Sequence, residues 1–248
     1  MYAQEAIMPY SEKAPKKEQV ERMFNDIAHS YDGLNHLLSL GVDRIWRKSA
    51  ISYLKRHSSH PSRILDVATG TGDFAILANK QLSPNQIIGI DISEKMMEIG
   101  KSKVMKADMS DVISFHKEDC SSLSYPESSF DAVISSFGLR NFEYLDKCLS
   151  EMYRVLRPGG IIVAIDLCSP RKFPMSQLFW CYKKLVMPVV GRSISHDDSA
   201  YTYLPHTMDV IPQGSEMAHI FEDAGFTEVI HKSLPFQMCM LYSGKKTK

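Results

Sequence analysis

Asp66, Gly70, Thr71, Gly72 and Asp91 fall within one 29-residue stretch, Arg63-Ile-Leu-Asp-Val-Ala-Thr-Gly-Thr-Gly-Asp-Phe-Ala followed by a helical segment and Ile87-Ile-Gly-Ile-Asp91. A carboxylate stands at or near the end of each apolar run, and a glycine pair breaks the first. Glycine lets the backbone turn sharply and approach a ligand closely. The helix that follows points its N-terminal N–H groups over the glycines. Asp91 lies 21 residues after Gly70 (91 − 70), where a carboxylate can accept both ribose hydroxyls of an adenosine. The unit therefore predicts a nucleoside-containing cofactor.

Gly70-x-Gly72-x-x-Ala75 also fits a dinucleotide fingerprint. Asp66 stands before the loop and Asp73 directly after it. Two carboxylates would repel a pyrophosphate and suit an ammonium and a sulfonium. S-adenosylmethionine is favoured over a nicotinamide dinucleotide on that ground.

The chemistry has to be positioned by a frame that 248 residues can supply as one α/β domain with a substantial core. Lys+Arg and Asp+Glu both number 29, so no global basic field speaks for nucleic acid. The five cysteines are odd in number and never form C-x-x-C, which points to reduced thiols rather than a disulfide frame or zinc site. The nine histidines show no H-E-x-x-H spacing, and no metal is expected. The N-terminus lacks a secretory pattern, and no window of about 18 uncharged apolar residues occurs. A soluble, cytoplasmic protein is expected.

Residues 1–15 read as a loose, flexible tail, and 16–248 as a single domain. Apolar residues at helical spacing predict one helix from Lys16 to Tyr31 and another from Asp43 to His57, joined through Asn35–Gly41. Residues 16–60 thus form an N-terminal helical cap. Strands are predicted near 63–69, 86–91, 113–118, 130–135 and 160–166, alternating with helices, as a parallel sheet requires. Leu156-Arg-Pro-Gly-Gly160 is expected to stop a helix and turn into the fifth strand. A helix over Gly214–Ala224 and strands near 227–233 and 237–243 close the sheet.

Residues 170–210 read as a substrate-side insertion or lid. Within Phe173–Val190, Met175, Leu178, Phe179, Tyr182, Leu185, Val186 and Val189 recur at helical spacing, with Trp180, Met187 and Val190 widening the apolar face and Lys183 and Lys184 adjacent. Two readings stand: a lid that also rests on a membrane surface, or a helix packed on the domain.

Three further segments carry a resemblance: Met23-Phe24-x-x-Ile27-Ala28-x-x-Tyr31-Asp32-x-x-Asn35, Ser136-Phe137-Gly138-Leu139-Arg140-Asn141 and Tyr201-x-Tyr203-Leu204-Pro205. With Gly41-Val42-Asp43-x-x-Trp46-Arg47, the chain from about residue 18 onward resembles the ubiquinone/menaquinone biosynthesis C-methyltransferases. The D-x-x-x-G-x-G loop alone would mark only the broad class I group. The resemblance implies a class I S-adenosylmethionine-dependent methyltransferase fold, Rossmann-like, with a mostly parallel seven-stranded sheet and an antiparallel edge. It implies methylation of a polyprenyl hydroquinone at ring carbon. Demethylmenaquinol is favoured on family-wide frequency, with a ubiquinone-pathway benzoquinol or another small molecule as the alternative acceptor.

Carried over by position, Gly70, Thr71 and Gly72 would form the cofactor loop with Asp66, and Asp91 would hold the ribose. Asp119 and Cys120 would flank the adenine, and Ser136 would end the fourth strand in the crevice. Tyr31, Arg140 and Asn141 would be catalytic. Gln237 and Tyr242 depart from the family's C-terminal pattern, so no role is carried onto the terminal strand.

A ring carbon ortho to a phenol becomes a competent nucleophile once the hydroxyl loses its proton, so a quinol and not a quinone is expected as substrate. Arg140 keeps its proton and is suited to stabilising the phenolate, and Asn141 to bonding the second oxygen. Tyr31 and Asp32 sit on a cap that could exclude water. His29 and His36 titrate in a useful range, and the base is left unassigned. The other readings are a methyltransferase for amines, a silent adenosylmethionine-binding partner and, more remotely, a nicotinamide oxidoreductase. A homodimer is the commonest expectation for a soluble enzyme, and contact with the inner membrane face is the expectation of the lid reading.

Overall fold

The computed structural model describes residues 2–58, 60–185 and 198–247. Its frame is one sheet of seven strands: β1 (Arg63–Val67), β2 (Gln86–Asp91), β3 (Ile113–Lys117), β4 (Phe130–Ser136), β5 (Leu156–Leu167), β6 (Thr227–Ser233) and β7 (Cys239–Lys245). Their spatial order is β3-β2-β1-β4-β5-β7-β6. β1 pairs in parallel with β2 and with β4, Leu65 lying opposite both Ile88 and Val133. β7 runs antiparallel to both β5 and β6. The order reverses between β1 and β4, so the loops leaving their C-terminal ends diverge and open a crevice there.

Alternate residues of the central strands enter two separate cores. Leu65, Val67, Val133, Ile162 and Ala164 pack beneath α5 (Leu145–Val155) and α8 (Ser215–Asp223). Ile64, Ala132, Ile134, Val163 and Ile165 pack beneath α2 (Asp43–His57) and α3 (Asp73–Leu82). Burial on both faces explains why β4 and β5 read as continuous apolar runs. Among the described residues the other helices are α1 (Lys16–Leu38), α4 (Glu94–Lys106), α6 (Met175–Leu185) and α7 (Asp198–Val210).

Four boundaries differ from expectation. The first helix continues to Leu38, so Asn35 is helical and the link to α2 is short. The first 15 residues are not a loose tail across their length. Glu5 accepts the backbone N–H groups of Tyr2 and Leu145, each at 2.8 Å, and so places a carboxylate at the α5 N-terminus. Gln4 and Glu5 are buried, and the Lys16 ammonium donates to the Gln4 carbonyl at 2.5 Å.

The Leu156–Gly160 turn is instead the first part of β5, irregular in register. Phe130 pairs with Leu156 and Ala132 with Ile161, so β5 carries extra residues there. β7 starts at Cys239 because Pro235–Gln237 form a 3-10 turn. Of the insertion helix, Val186, Met187, Val189 and Val190 lie outside the described residues.

Candidate active site

The loop leaving β1 turns through Ala68, Gly70 and Gly72 at positive φ, and Gly72 begins α3. A Cβ on Gly72 would lie 2.8 Å from the Phe115 ring, so both the turn and the packing require glycine there. Asp91 holds the loop from the next strand. One carboxylate oxygen accepts the Gly70 N–H at 2.8 Å and the other accepts the Ser93 N–H at 2.9 Å. Burial raises the Asp91 pKa, and these backbone donors oppose the rise.

A crevice with about 800 Å³ of space open to solvent extends from this loop to the ends of β2, β3 and β4. Gly70, Asp91, Asp119, Cys120, Ser136 and Asn141 all line it, with Tyr31 at one end. Asp66, Thr71, Gly72 and Arg140 do not.

Asp66 lies wholly buried under the loop, accepting from the Thr69 hydroxyl at 2.7 Å. Burial pushes its pKa up to about 7. Its other oxygen has no partner. Thr71 is tied behind the loop, its hydroxyl donating to Asp32 at 2.7 Å and accepting from Lys103 at 2.9 Å.

The electrostatic reading of the loop needs correction. Asp73 is ion-paired with Lys103 at 2.7 Å, and Asp66 is sealed from the crevice. Neither presents a free charge to a ligand. The acidity comes from elsewhere: Asp91, Glu118, Asp119 and Glu143 line the crevice, against Lys17 as its one lysine or arginine among the described residues. That balance still suits a cation and still disfavours a diphosphate.

Lys17 bonds Asp119 at 2.9 Å, and Ser121 donates to the same carboxylate. Burial alone would raise the Asp119 pKa. The Lys17 and Ser121 hydrogen bonds outweigh it and lower it. Cys120 and Cys148, 28 residues apart, meet across the crevice wall as free thiols.

Two further apolar cavities, with about 520 and 490 Å³ of space open to solvent, adjoin the crevice. Phe24, Tyr31 and Asn141 line both the crevice and the smaller cavity, which therefore meet at these three side chains. Asn35, Leu38, Arg140 and Leu204 are shared between the two cavities. The sequence-predicted trio of Tyr31, Arg140 and Asn141 thus converges although α1 and the Leu139–Asn141 turn are about a hundred residues apart.

Arg140 is held by a residue absent from the sequence reading. Asp166, at the C-terminal end of β5, accepts the Arg140 guanidinium at 2.5 Å and its backbone N–H at 2.9 Å. A further Arg140 bond goes to the Phe137 carbonyl at 2.6 Å. Burial disfavours the guanidinium charge, and the Asp166 carboxylate outweighs that penalty, raising the pKa. The available signal was position: Asp166 ends an apolar strand, as Asp91 does. Lys103 carried no comparable signal, being one of many lysines on an amphipathic helix.

Of the two histidines near the cap, His36 faces Asp43 at 3.1 Å and lines none of these cavities. His29 lines none either.

A doubly wound sheet of order 3-2-1-4-5-7-6, with a glycine loop at its switch point and an acidic residue ending β2, defines a class I methyltransferase fold. Solved structures with this fold include an S-adenosylmethionine-dependent methyltransferase from Thermotoga maritima (TM-score 0.61, 18% identity, covering 91% of this chain and 99% of that one). Another is from Aquifex aeolicus (TM-score 0.57, 18% identity, covering 79% and 88%).

Residues 12–246 match the ubiE/COQ5 methyltransferase family, and the chain belongs to it. It is 53% identical to a demethylmenaquinone methyltransferase of Bacteroides fragilis over 245 residues, 99% of each chain. It is 44% identical to one from Porphyromonas gingivalis, covering 99% of this chain and all of that one. A ubiquinone/menaquinone biosynthesis C-methyltransferase of Geobacter sulfurreducens is 38% identical over 93% and 90% of the two chains.

Proposed function

We propose that the protein transfers a methyl group from S-adenosylmethionine to a ring carbon of demethylmenaquinol, yielding menaquinol. The observation that carries this reading is the junction at Tyr31 and Asn141, where an acidic crevice meets an apolar cavity lined by a buried arginine. The relatives named as demethylmenaquinone methyltransferases supply the acceptor.

When bound, S-adenosylmethionine supplies an electrophilic sulfonium methyl. The residues present fit it. Asp91 faces the crevice with its backbone bonds already made and acceptor capacity remaining for a ribose diol, and the acidic lining favours a cation. Asp119 and Cys120 stand at the adenine end.

The acceptor ring would enter the smaller cavity with its reacting carbon toward the junction, within about 3 Å of the methyl. Arg140, fixed in its charged form by Asp166, stabilises the oxygen that becomes phenolate. It orients a water that takes the proton and does not take it itself, since its pKa is raised further. Asn141 offers an unpartnered carbonyl oxygen to a ring hydroxyl. Tyr31, whose phenol is raised chiefly by burial, stays neutral and shields the junction from water.

The reading is tested by methyl transfer from labelled S-adenosylmethionine to short-tailed demethylmenaquinol kept reduced by dithionite, with the oxidised quinone as control. Product in the reduced sample alone is expected. Equal product in both, or none in either, removes the phenolate chemistry.

A polyprenyl tail implies contact with a lipid surface. No described helix is long and apolar enough to cross a membrane. α6 combines both readings of its sequence: Phe179 is buried and Tyr182 bonds the Leu38 carbonyl, whereas Leu178, Trp180 and Leu185 are exposed beside Lys184. That outer face is read as the membrane-contact surface. Flotation with anionic vesicles should retain the protein, and a Leu178→Ser/Trp180→Ser variant should stay behind.

A further inference from the structure

Three buried polar atoms on residues lining the smaller cavity lack hydrogen-bond partners: Arg140 Nε, Asn141 Oδ1 and the Tyr203 hydroxyl. A buried polar atom left without a partner costs free energy. Three on one cavity are the signature of a ligand whose polar groups complete them. Arg140 and Asn141 are adjacent in one turn and face one end of such a ligand. Tyr203 arrives from a different element, α7, within the insertion.

We infer that Tyr203 is a catalytic residue that donates its hydroxyl proton in a hydrogen bond to a quinol oxygen. The inference rests on the quinol reading and deepens it. A 1,4-quinol carries one oxygen on either side of its ring, and groups reaching the cavity from two elements can address both. The remainder of the cavity wall is apolar apart from Tyr31 and Asn35, with Met23, Phe24, Ile27, Leu38 and Leu204 providing ring and tail contacts.

Tyr203 is 4% exposed, and its phenol pKa is raised chiefly by burial, with nearby Arg140 opposing and Asp166 adding to the rise. The hydroxyl therefore remains protonated throughout the assay range. It acts as a donor and not as the base. A donor aimed at an oxygen that gains charge in the transition state accelerates the step.

The groups whose charge the hydroxyl senses are Arg140 and Asp166, and the Lys16 ammonium lies 5.8 Å from the Tyr203 ring centre. Burial lowers the Lys16 pKa to about 8, so it titrates near the working range.

The test is Tyr203→Phe, which keeps the ring packed and removes one unpartnered oxygen. Because that oxygen stabilises nothing in the free protein, the variant should melt at the wild-type temperature or above it. Its affinity for S-adenosylmethionine, by calorimetry, should match wild type. Turnover of reduced short-tailed demethylmenaquinol should fall about 10- to 100-fold, as for one hydrogen bond to a charged oxygen. The pH profile should also move. If phenolate formation limits the rate, losing its donor shifts the rising limb of kcat upward by about one pH unit for a tenfold loss.

A structural role would lower the melting temperature and leave the profile in place. Turnover within twofold of wild type overturns the assignment to Tyr203 while the quinol reading stands. A wild-type enzyme that fails to methylate the quinol overturns that reading, and the role of the hydroxyl with it.

Discussion

At the crevice proposed for the cofactor the geometry is held by main chain: Asp91 grips the Gly70 and Ser93 N–H groups, and Thr69 bonds the Ile90 carbonyl, all around one β-α-β unit. In the smaller cavity the geometry is held largely by side chains from distant elements. Arg140 is fixed by Asp166, 26 residues away, and meets Tyr31 from α1 and Tyr203 from α7. The first half needs only local sequence to assemble and suits a cofactor common to a whole fold class. The second depends on inserted helices, which can vary with the acceptor while the sheet stays the same. Binding and acceptor chemistry should therefore be separable by mutation.

The largest effect is expected at Asp166. Asp166→Ala strands the Arg140 charge inside the protein, which costs about 3–5 kcal/mol for a broken buried pair. Urea unfolding should register that loss, and methyl transfer should fall at least about 100-fold. Asp166→Asn keeps an acceptor for Arg140, so the fold should survive while turnover drops. If affinity for S-adenosylmethionine fell in parallel in the Asn variant, the two halves would not be independent.

Asp91→Asn is the converse. The Asn carbonyl can still accept the Gly70 N–H, but one acceptor face toward a ribose is lost, together with its charge. A 10- to 100-fold rise in the cofactor Kd is expected, corresponding to about 1.4–2.8 kcal/mol. The KM for quinol at saturating cofactor should change less than threefold. A larger change there than in the Kd would contradict the division.

Gly138 lies where the halves touch. Its φ is −97°, open to any residue, yet an added Cβ would come within 2.8 Å of the Ala68 Cβ and 3.0 Å of Ser135 Oγ. Gly138→Ala must push the β1 loop and the Arg140 turn apart, costing about 1–3 kcal/mol as overpacking does. Both the cofactor Kd and the quinol KM should rise several-fold, in contrast to the one-sided effects above.

The same division governs what could be read from the residues alone. The β-α-β unit and the alternation of strands and helices were legible because they are local and periodic. Asp119, Cys120 and Ser136 came with the family resemblance, and all three line the crevice. Asp66 and Asp73 misled, because the charge of a loop residue depends on what packs beneath it. Lys103, 30 residues on from Asp73, neutralises it. Asp166 and Tyr203 escaped assignment because their partner or cavity exists only in three dimensions. The N-terminal segment looked like a tail because its anchors, Leu145 and Lys16, are capping and burial contacts with no periodic pattern.

Asp66 allows the smallest test, one aimed at the frame and not at either half of the site. Burial raises its pKa from 3.8 to about 7, against the Thr69 hydrogen bond and the nearby Arg47 charge. Between those values the folded protein keeps a proton that the unfolded chain has released. The stability this group contributes is therefore complete below pH 4 and is lost as pH rises through 7. Asp66→Asn keeps an acceptor for the Thr69 hydroxyl and removes the titration. Its melting temperature relative to wild type should climb between pH 5 and pH 8, by about 2–4 °C for each kcal/mol of wild-type loss at this chain length. The Asp91 charge adds to the rise at Asp66, so the difference reports the Asp66 carboxyl together with its coupling to Asp91. A difference that stayed flat with pH would mean that the Asp66 carboxylate is already charged when folded. It would then contribute to the field in the crevice after all.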